Sequence, residues 1–196
     1  TSGSAWDPDP VPPVPPAAAG PGRREDVLVS VCFAAARPDA GGRAILRAVA
    51  ARIAARYRYW EMLVIAEAAD SADHELLIAA VPNLRLIKVR NGTSFYRKRV
   101  VAAAEAIGDI VLLAATDEIA ALDLEAMLDE ARTGGGIVMA RRSRASHLDP
   151  LLRALGGASG FRVTTRNMLT VAYPRTLLNL ILALPERQLA LRFVPR

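Results

Sequence analysis

Five short apolar runs, Val27–Phe33, Trp60–Ile65, Leu84–Val89, Ile110–Leu113 and Ile137–Ala140, alternate with stretches of helical spacing. This alternation constrains the fold more than anything else in the chain. The runs are rich in β-branched residues and bounded by turn signals, as strands are. Residues 42–58 set Ile45, Leu46, Val49 and Ile53 against Arg43, Arg47, Arg52 and Arg56, the pattern of a helix with one face in a core. Helices are also expected at 71–80, capped by Ser71 with Asp73 and His74 in the first turn, and at 95–107, 122–132 and 174–184. Gly134-Gly135-Gly136 is a helix stop. Strict alternation predicts parallel pairing through right-handed crossovers. The expected class is α/β, an open, mostly parallel sheet with helices on both faces.

Residues 1–24 stand apart, with seven prolines and no periodic apolar pattern. They read as a flexible Pro/Ala/Gly-rich leader or linker, and Thr1–Ser4 has the composition of a tag remnant. Residues 25–196 then form one domain. The 52% apolar content argues against disorder in that body. No run reaches the roughly 18 apolar residues a spanning helix needs. The single cysteine, Cys32, excludes an intramolecular disulfide and fits a reducing, cytoplasmic setting. Charge is uneven: residues 137–196 hold 10 arginines, no lysine and two acids, whereas residues 1–136 hold 15 Lys and Arg against 18 Asp and Glu. An arginine-rich segment suits phosphate groups or a membrane surface. Nucleic acid is a poor partner, because only Phe161, Tyr173 and Phe193 interleave as stacking aromatics.

Gly108–Glu118 is the stretch closest to chemistry. The run Ile110–Ala115 leads into Thr116-Asp117-Glu118, as a buried strand does when it delivers a carboxylate to the ligand-binding edge of a sheet. Other motifs carry less. His74 and His147 have no second ligand at metal spacing. Cys32 in an apolar strand is a small hydrophobe. Neither a phosphate-binding glycine loop nor a nucleophile elbow occurs.

In order, Val29–Phe33, Trp60–Ile65, Leu84–Val89 with Arg90-Asn91, Gly108–Leu113 with Asp117, Arg141–Arg144, Gly160–Arg162 with Thr165-Arg166, and Leu182–Arg187 resemble the family 2 glycosyltransferases. The likeness is nearest to the polyprenyl- or dolichyl-phosphate sugar synthase branch. It implies the GT-A fold, that of nucleotide-diphospho-sugar transferases, over nearly all of residues 27–192. It also implies a donor site holding a nucleotide sugar through Glu67 and, at the diphosphate, Arg97, Lys98 and Arg99. Asp117 and Glu118 would hold Mg²⁺ or Mn²⁺, and Arg162 and Arg166 an acceptor phosphate.

The site departs from the family pattern at several positions. Ala34–Ala36 replaces a segment with an aromatic and an acid, and Ala66-Glu67 replaces a pair of aspartates. Ala115-Thr116-Asp117 replaces Asp-x-Asp, and Gly160 stands where an acid is expected. A divalent ion that keeps its waters still needs one or two carboxylates beside phosphate oxygens. The expectation is therefore a degenerate glycosyltransferase-like domain that binds, assembles or regulates a partner enzyme. The alternative is an active transferase acting on a lipid-linked or polysaccharide acceptor, membrane-associated if the acceptor is a lipid. A third reading is a binder of anionic surfaces.

Overall fold

The computed structural model describes residues 24–36, 39–142 and 167–192, with isolated positions 154 and 158. The leader, apart from Arg24, lies outside the described residues, as does the segment from Phe161 to Arg166.

The elements are β1 (Glu25–Phe33), α1 (Ala40–Arg56), β2 (Tyr57–Glu67), α2 (Ser71–Ala80), β3 (Leu84–Val89), α3 (Phe95–Glu105), β4 (Ile110–Ala114), α4 (Leu124–Gly134), β5 (Val138–Arg141), β6 (Asn167–Pro174), α5 (Arg175–Leu182) and α6 (Arg187–Ala190). All five expected strands are present within a few residues of their predicted ends. Ser71, expected as a cap, is instead the first helical residue of α2, after a 3₁₀ turn over Ala68–Asp70. Asp39, Ser94 and Asp123 do cap their helices, each accepting a hydrogen bond from a first-turn backbone N–H. Gly135 ends α4 in the left-handed region at φ 61°, where the absence of Cβ removes the strain.

The sheet has six strands in the order β3-β2-β1-β4-β6-β5. β1 pairs in parallel with β2 and β4, and β2 with β3. The sheet is mostly parallel, as expected, and departs from that at one edge. β6 inserts between β4 and β5 and runs antiparallel to both. β5 thus keeps the direction of β4 without touching it.

Alternation along the buried strands sends successive side chains to opposite faces. Val29, Val31 and Phe33 pack with Leu46, Val49 and Ile53 of α1, Leu77 of α2, and Leu124 and Leu128 of α4. Cys32, Leu63, Leu113 and Val171 pack with Ala102 and Ala103 of α3, Leu178 and Ile181 of α5, and Ala190 of α6. Two cores on one sheet explain why the strands are apolar without interruption. Each fully buried Val, Leu or Ile contributes about 1.5–3 kcal/mol of transfer free energy.

The Gly108-Asp109 pair before β4 is a structural device. A Cβ at Gly108 would lie 2.6 Å from the Ser30 backbone nitrogen. The close approach lets Gly108 N–H donate to Ser30 Oγ at 2.7 Å, and Ser30 donates onward to Glu61 Oε1 at 2.6 Å. Asp109 exchanges backbone and side-chain hydrogen bonds with Leu28, and Arg175 donates to the carbonyls of Ala106 and Gly108. These contacts fix the end of the sheet opposite Asp117.

Candidate functional site

The strand order reverses between β1 and β4, the place where an open α/β sheet forms a cleft at its carboxyl edge. A cavity of about 370 Å³ occupies that place. Its walls are Ala35 and Ala36 after β1, Asp39, Gly41 and Gly42 at the start of α1, and Thr116 and Asp117 after β4. The Thr116 hydroxyl donates to the Ala35 carbonyl at 3.2 Å, tying the two loops together. Asp117 is exposed and makes no hydrogen bond to any described residue. Asp39, which sequence reasoning passed over, brings a second carboxylate into the cavity. It is partly committed, because its Oδ1 accepts from Gly42 N–H at 2.7 Å. The signal was legible: an aspartate just ahead of a periodic helix is a cap, and this cap sits at a ligand-binding edge.

Glu118 does not join Asp117 at a metal site. It is 5% exposed, and its carboxylate accepts from Leu169 N–H at 2.8 Å, Thr170 N–H at 2.9 Å and the Thr170 hydroxyl at 2.9 Å. The same hydroxyl accepts from Ala115 N–H at 3.2 Å. Glu118 thereby bolts the end of β4 to β6. Its lone pairs serve the inserted strand β6, which is not among the five expected strands.

The basic triplet also disperses. Arg97 is exposed. Lys98 Nζ pairs with Glu67 Oε1 at 2.8 Å. Arg99 is buried within the core beneath α3. Three consecutive helical residues point about 100° apart, so one diphosphate cannot meet all three.

Glu67 stands at the carboxyl end of β2, and its other oxygen accepts from Gly92 N–H at 2.9 Å. Lys98 first, and the Gly92 N–H second, hold the Glu67 carboxyl below its ordinary value. Asn91 Oδ1 accepts from Ala69 N–H at 3.2 Å. The turns after β2 and β3 are thus closed by their own polar groups.

Among the described residues, Asp117 and the half-committed Asp39 are the acids that line the cavity. Among the described residues, no group of three or more His, Cys, Asp or Glu side chains could hold a metal ion. The described residues do not fit a closed Mg²⁺ or Mn²⁺ site. Arg162 and Arg166 lie outside the described residues, as do Arg144 and Gly160. Among the described residues, no helix is long and apolar enough to cross a membrane.

No family model matches the chain, and no curated protein matches it by sequence. Solved structures do. The chain is similar to the crystal structure of glucosyl-3-phosphoglycerate synthase from Mycobacterium tuberculosis, at 20% identity and a TM-score of 0.55. It is also similar to the structure of that enzyme with uridine diphosphate, at 20% identity and TM-score 0.53, and with phosphoglyceric acid, at 21% and 0.54. Each match covers 77% of this chain and 58% of the other. This likeness shows the fold. The chain has a glycosyltransferase-like GT-A architecture and spans little more than half the length of the structures it matches.

Proposed function

We propose that this domain is a glycosyltransferase-like module whose donor site has lost metal-assisted sugar transfer and which serves as a binding or accessory domain for a partner enzyme. The observation that carries this reading is the commitment of Glu118 to β6. With Ala115 in place of an acid and Glu118 bound to β6, the one other described carboxylate that lines the cavity with Asp117 is Asp39, which already caps α1. Lys98 and Glu67 neutralise each other, which removes a cation and an acid from ligand binding together.

A nucleoside diphosphate remains the first ligand to try, since the cavity lies at the switch point and a similar structure was solved with uridine diphosphate. The test is thermal unfolding with UDP, GDP and UDP-glucose, each with and without MnCl₂. The expected result is no Mn²⁺-dependent rise in melting temperature. A rise of several degrees that Asp117→Ala removes would overturn the proposal. It would favour instead an active transferase working on a phosphorylated or lipid-linked acceptor, with Asp117 as the metal ligand.

A further inference from the structure

Arg99 heads the large side chains that the fold buries completely, at 1% exposure. A buried guanidinium is unfavourable unless its N–H donors find acceptors. Yet Nε, Nη1 and Nη2 of Arg99 have no partner at hydrogen-bonding geometry. Its Cζ lies 5.9 Å from the centre of the Phe95 ring, which offsets only part of the desolvation. Burial pulls the guanidinium below arginine's ordinary value, and the neighbouring Tyr173 counters part of that. The core thus holds a charge that water would solvate better.

The chain from Glu186 to Arg192 lies against this part of the core. Its short helix α6 packs on α3, and Ala190 and Leu191, both buried, join Ala102 and Ala103 of α3 there. The Tyr173 hydroxyl, beside Arg99, donates to the Leu191 carbonyl at 3.1 Å. The backbone N–H groups of Leu189 to Arg192 all bond inside the segment, to the carbonyls of Glu186, Arg187 and Leu189. Arg187, Gln188 and Leu189 are exposed. A cavity of about 370 Å³ lies between Tyr96 of α3 and Pro185, Gln188 and Leu189, so the segment is loosely seated on the first turn of α3. A helix this short has no stability of its own. Segments with few buried apolar contacts open at a fraction of the cost of global unfolding.

We propose that Glu186–Arg192 is a lid over Arg99, which opens while the sheet and α3 stay folded and lets water reach the unpaired guanidinium. Opening exposes Ala190 and Leu191 and breaks the bond from Tyr173 to Leu191. Against that loss, three unpaired donors gain water. The guanidinium therefore favours the open lid, and closure is held by two side chains and the Tyr173 hydroxyl. The lid shares no residue with the cavity between β1 and β4. This proposal and the reading of that cavity fail separately.

The test is amide hydrogen exchange of the full chain by NMR, read at Ala190, Leu191 and Arg192 against the central strands β1 and β4. The lid amides should exchange roughly a hundredfold faster than the strand amides, or more. Low urea should barely change their rates, because a local opening exposes little surface. Arg99→Met, which removes the charge and keeps the length, should slow them about tenfold. Tyr173→Phe, which removes the bond to Leu191, should speed them about fivefold. Asp117→Ala should leave them unchanged. Lid amides as slow and as urea-dependent as the strands overturn the proposal, since the segment then opens only with the whole fold. Fast exchange that Arg99→Met leaves unaltered also overturns it, because the segment then frays independently of the guanidinium. An Arg99→Met chain that fails to fold does the same, for it makes the guanidinium a support of the core.

Discussion

Replacing Glu118 by alanine separates a structural carboxylate from a metal ligand. The substitution strands three donors at once: Leu169 N–H, Thr170 N–H and the Thr170 hydroxyl. An orphaned buried donor costs about 1–3 kcal/mol, and water entering the space returns part of it, so the net loss should be about 3–5 kcal/mol. At 2–4 °C per kcal/mol for a domain of this size, the melting temperature should fall by about 10 °C. Urea unfolding is the cleaner assay, because an unchanged slope with a lower midpoint reports stability alone. Asp117→Ala is the internal control. Exposed and without a described partner, Asp117 should contribute less than about 0.5 kcal/mol. If Glu118→Ala unfolds within that same margin of the parent, β6 is not held by this carboxylate and the reasoning fails.

Further outcomes follow from the same contacts. Gly108→Ala should destabilise by about 1–3 kcal/mol, since the new Cβ would meet the Ser30 backbone 2.6 Å away and backbone cannot swing aside; urea midpoints measure it. Lys98→Met should raise the Glu67 carboxyl toward its ordinary value, read by a carbon-13 NMR titration. The sign is that of a depressed acid. Its stabilising share is present above the unfolded-state value, lost as pH falls through the lower folded-state value, and reduced in the variant. Cys32 is buried, and burial raises its thiol well above the usual range, so a thiol-reactive disulfide reagent at pH 8 should label it only in denaturant.

The central strands were legible because they are buried on both faces and carry unbroken apolar runs. β1, β2 and β4 needed no tertiary information to be found. β6 was missed for a reason visible in its residues. Met168–Tyr173 contains Thr170, whose hydroxyl is buried but satisfied by Glu118, so a strand with a polar position in the core did not read as core. That omission carried over to the site. With β6 unseen, Glu118 looked like a spare acid beside Asp117. Likewise the run Arg97-Lys98-Arg99 reads as one patch of charge in sequence, and only the helical rotation of α3 shows that its members face three environments. Asp117 itself was read from the sheet-edge argument alone, and the cavity forms there.

A gain-of-binding variant tests the proposed reading of the site. Ala115 is 6% exposed and donates its N–H to Thr170 Oγ1. Ala115→Asp would rebuild an Asp-x-Asp sequence with Asp117 at the end of β4. Without a cation, the new carboxylate is buried beside Glu118 and should destabilise the fold by about 3–5 kcal/mol. With a cation, two acids meet the minimum that a hydrated divalent ion requires. The variant should therefore melt well below the parent in EDTA and recover several degrees in millimolar MnCl₂, a recovery that a second change, Asp117→Ala, removes. Recovery would mean that the cavity has the shape two carboxylates need to share a cation, so that only side chains separate it from a metal site. A variant indifferent to Mn²⁺ would mean that the anchoring of β6 by Glu118 and Thr170 has drawn the end of β4 away from any geometry two carboxylates could share.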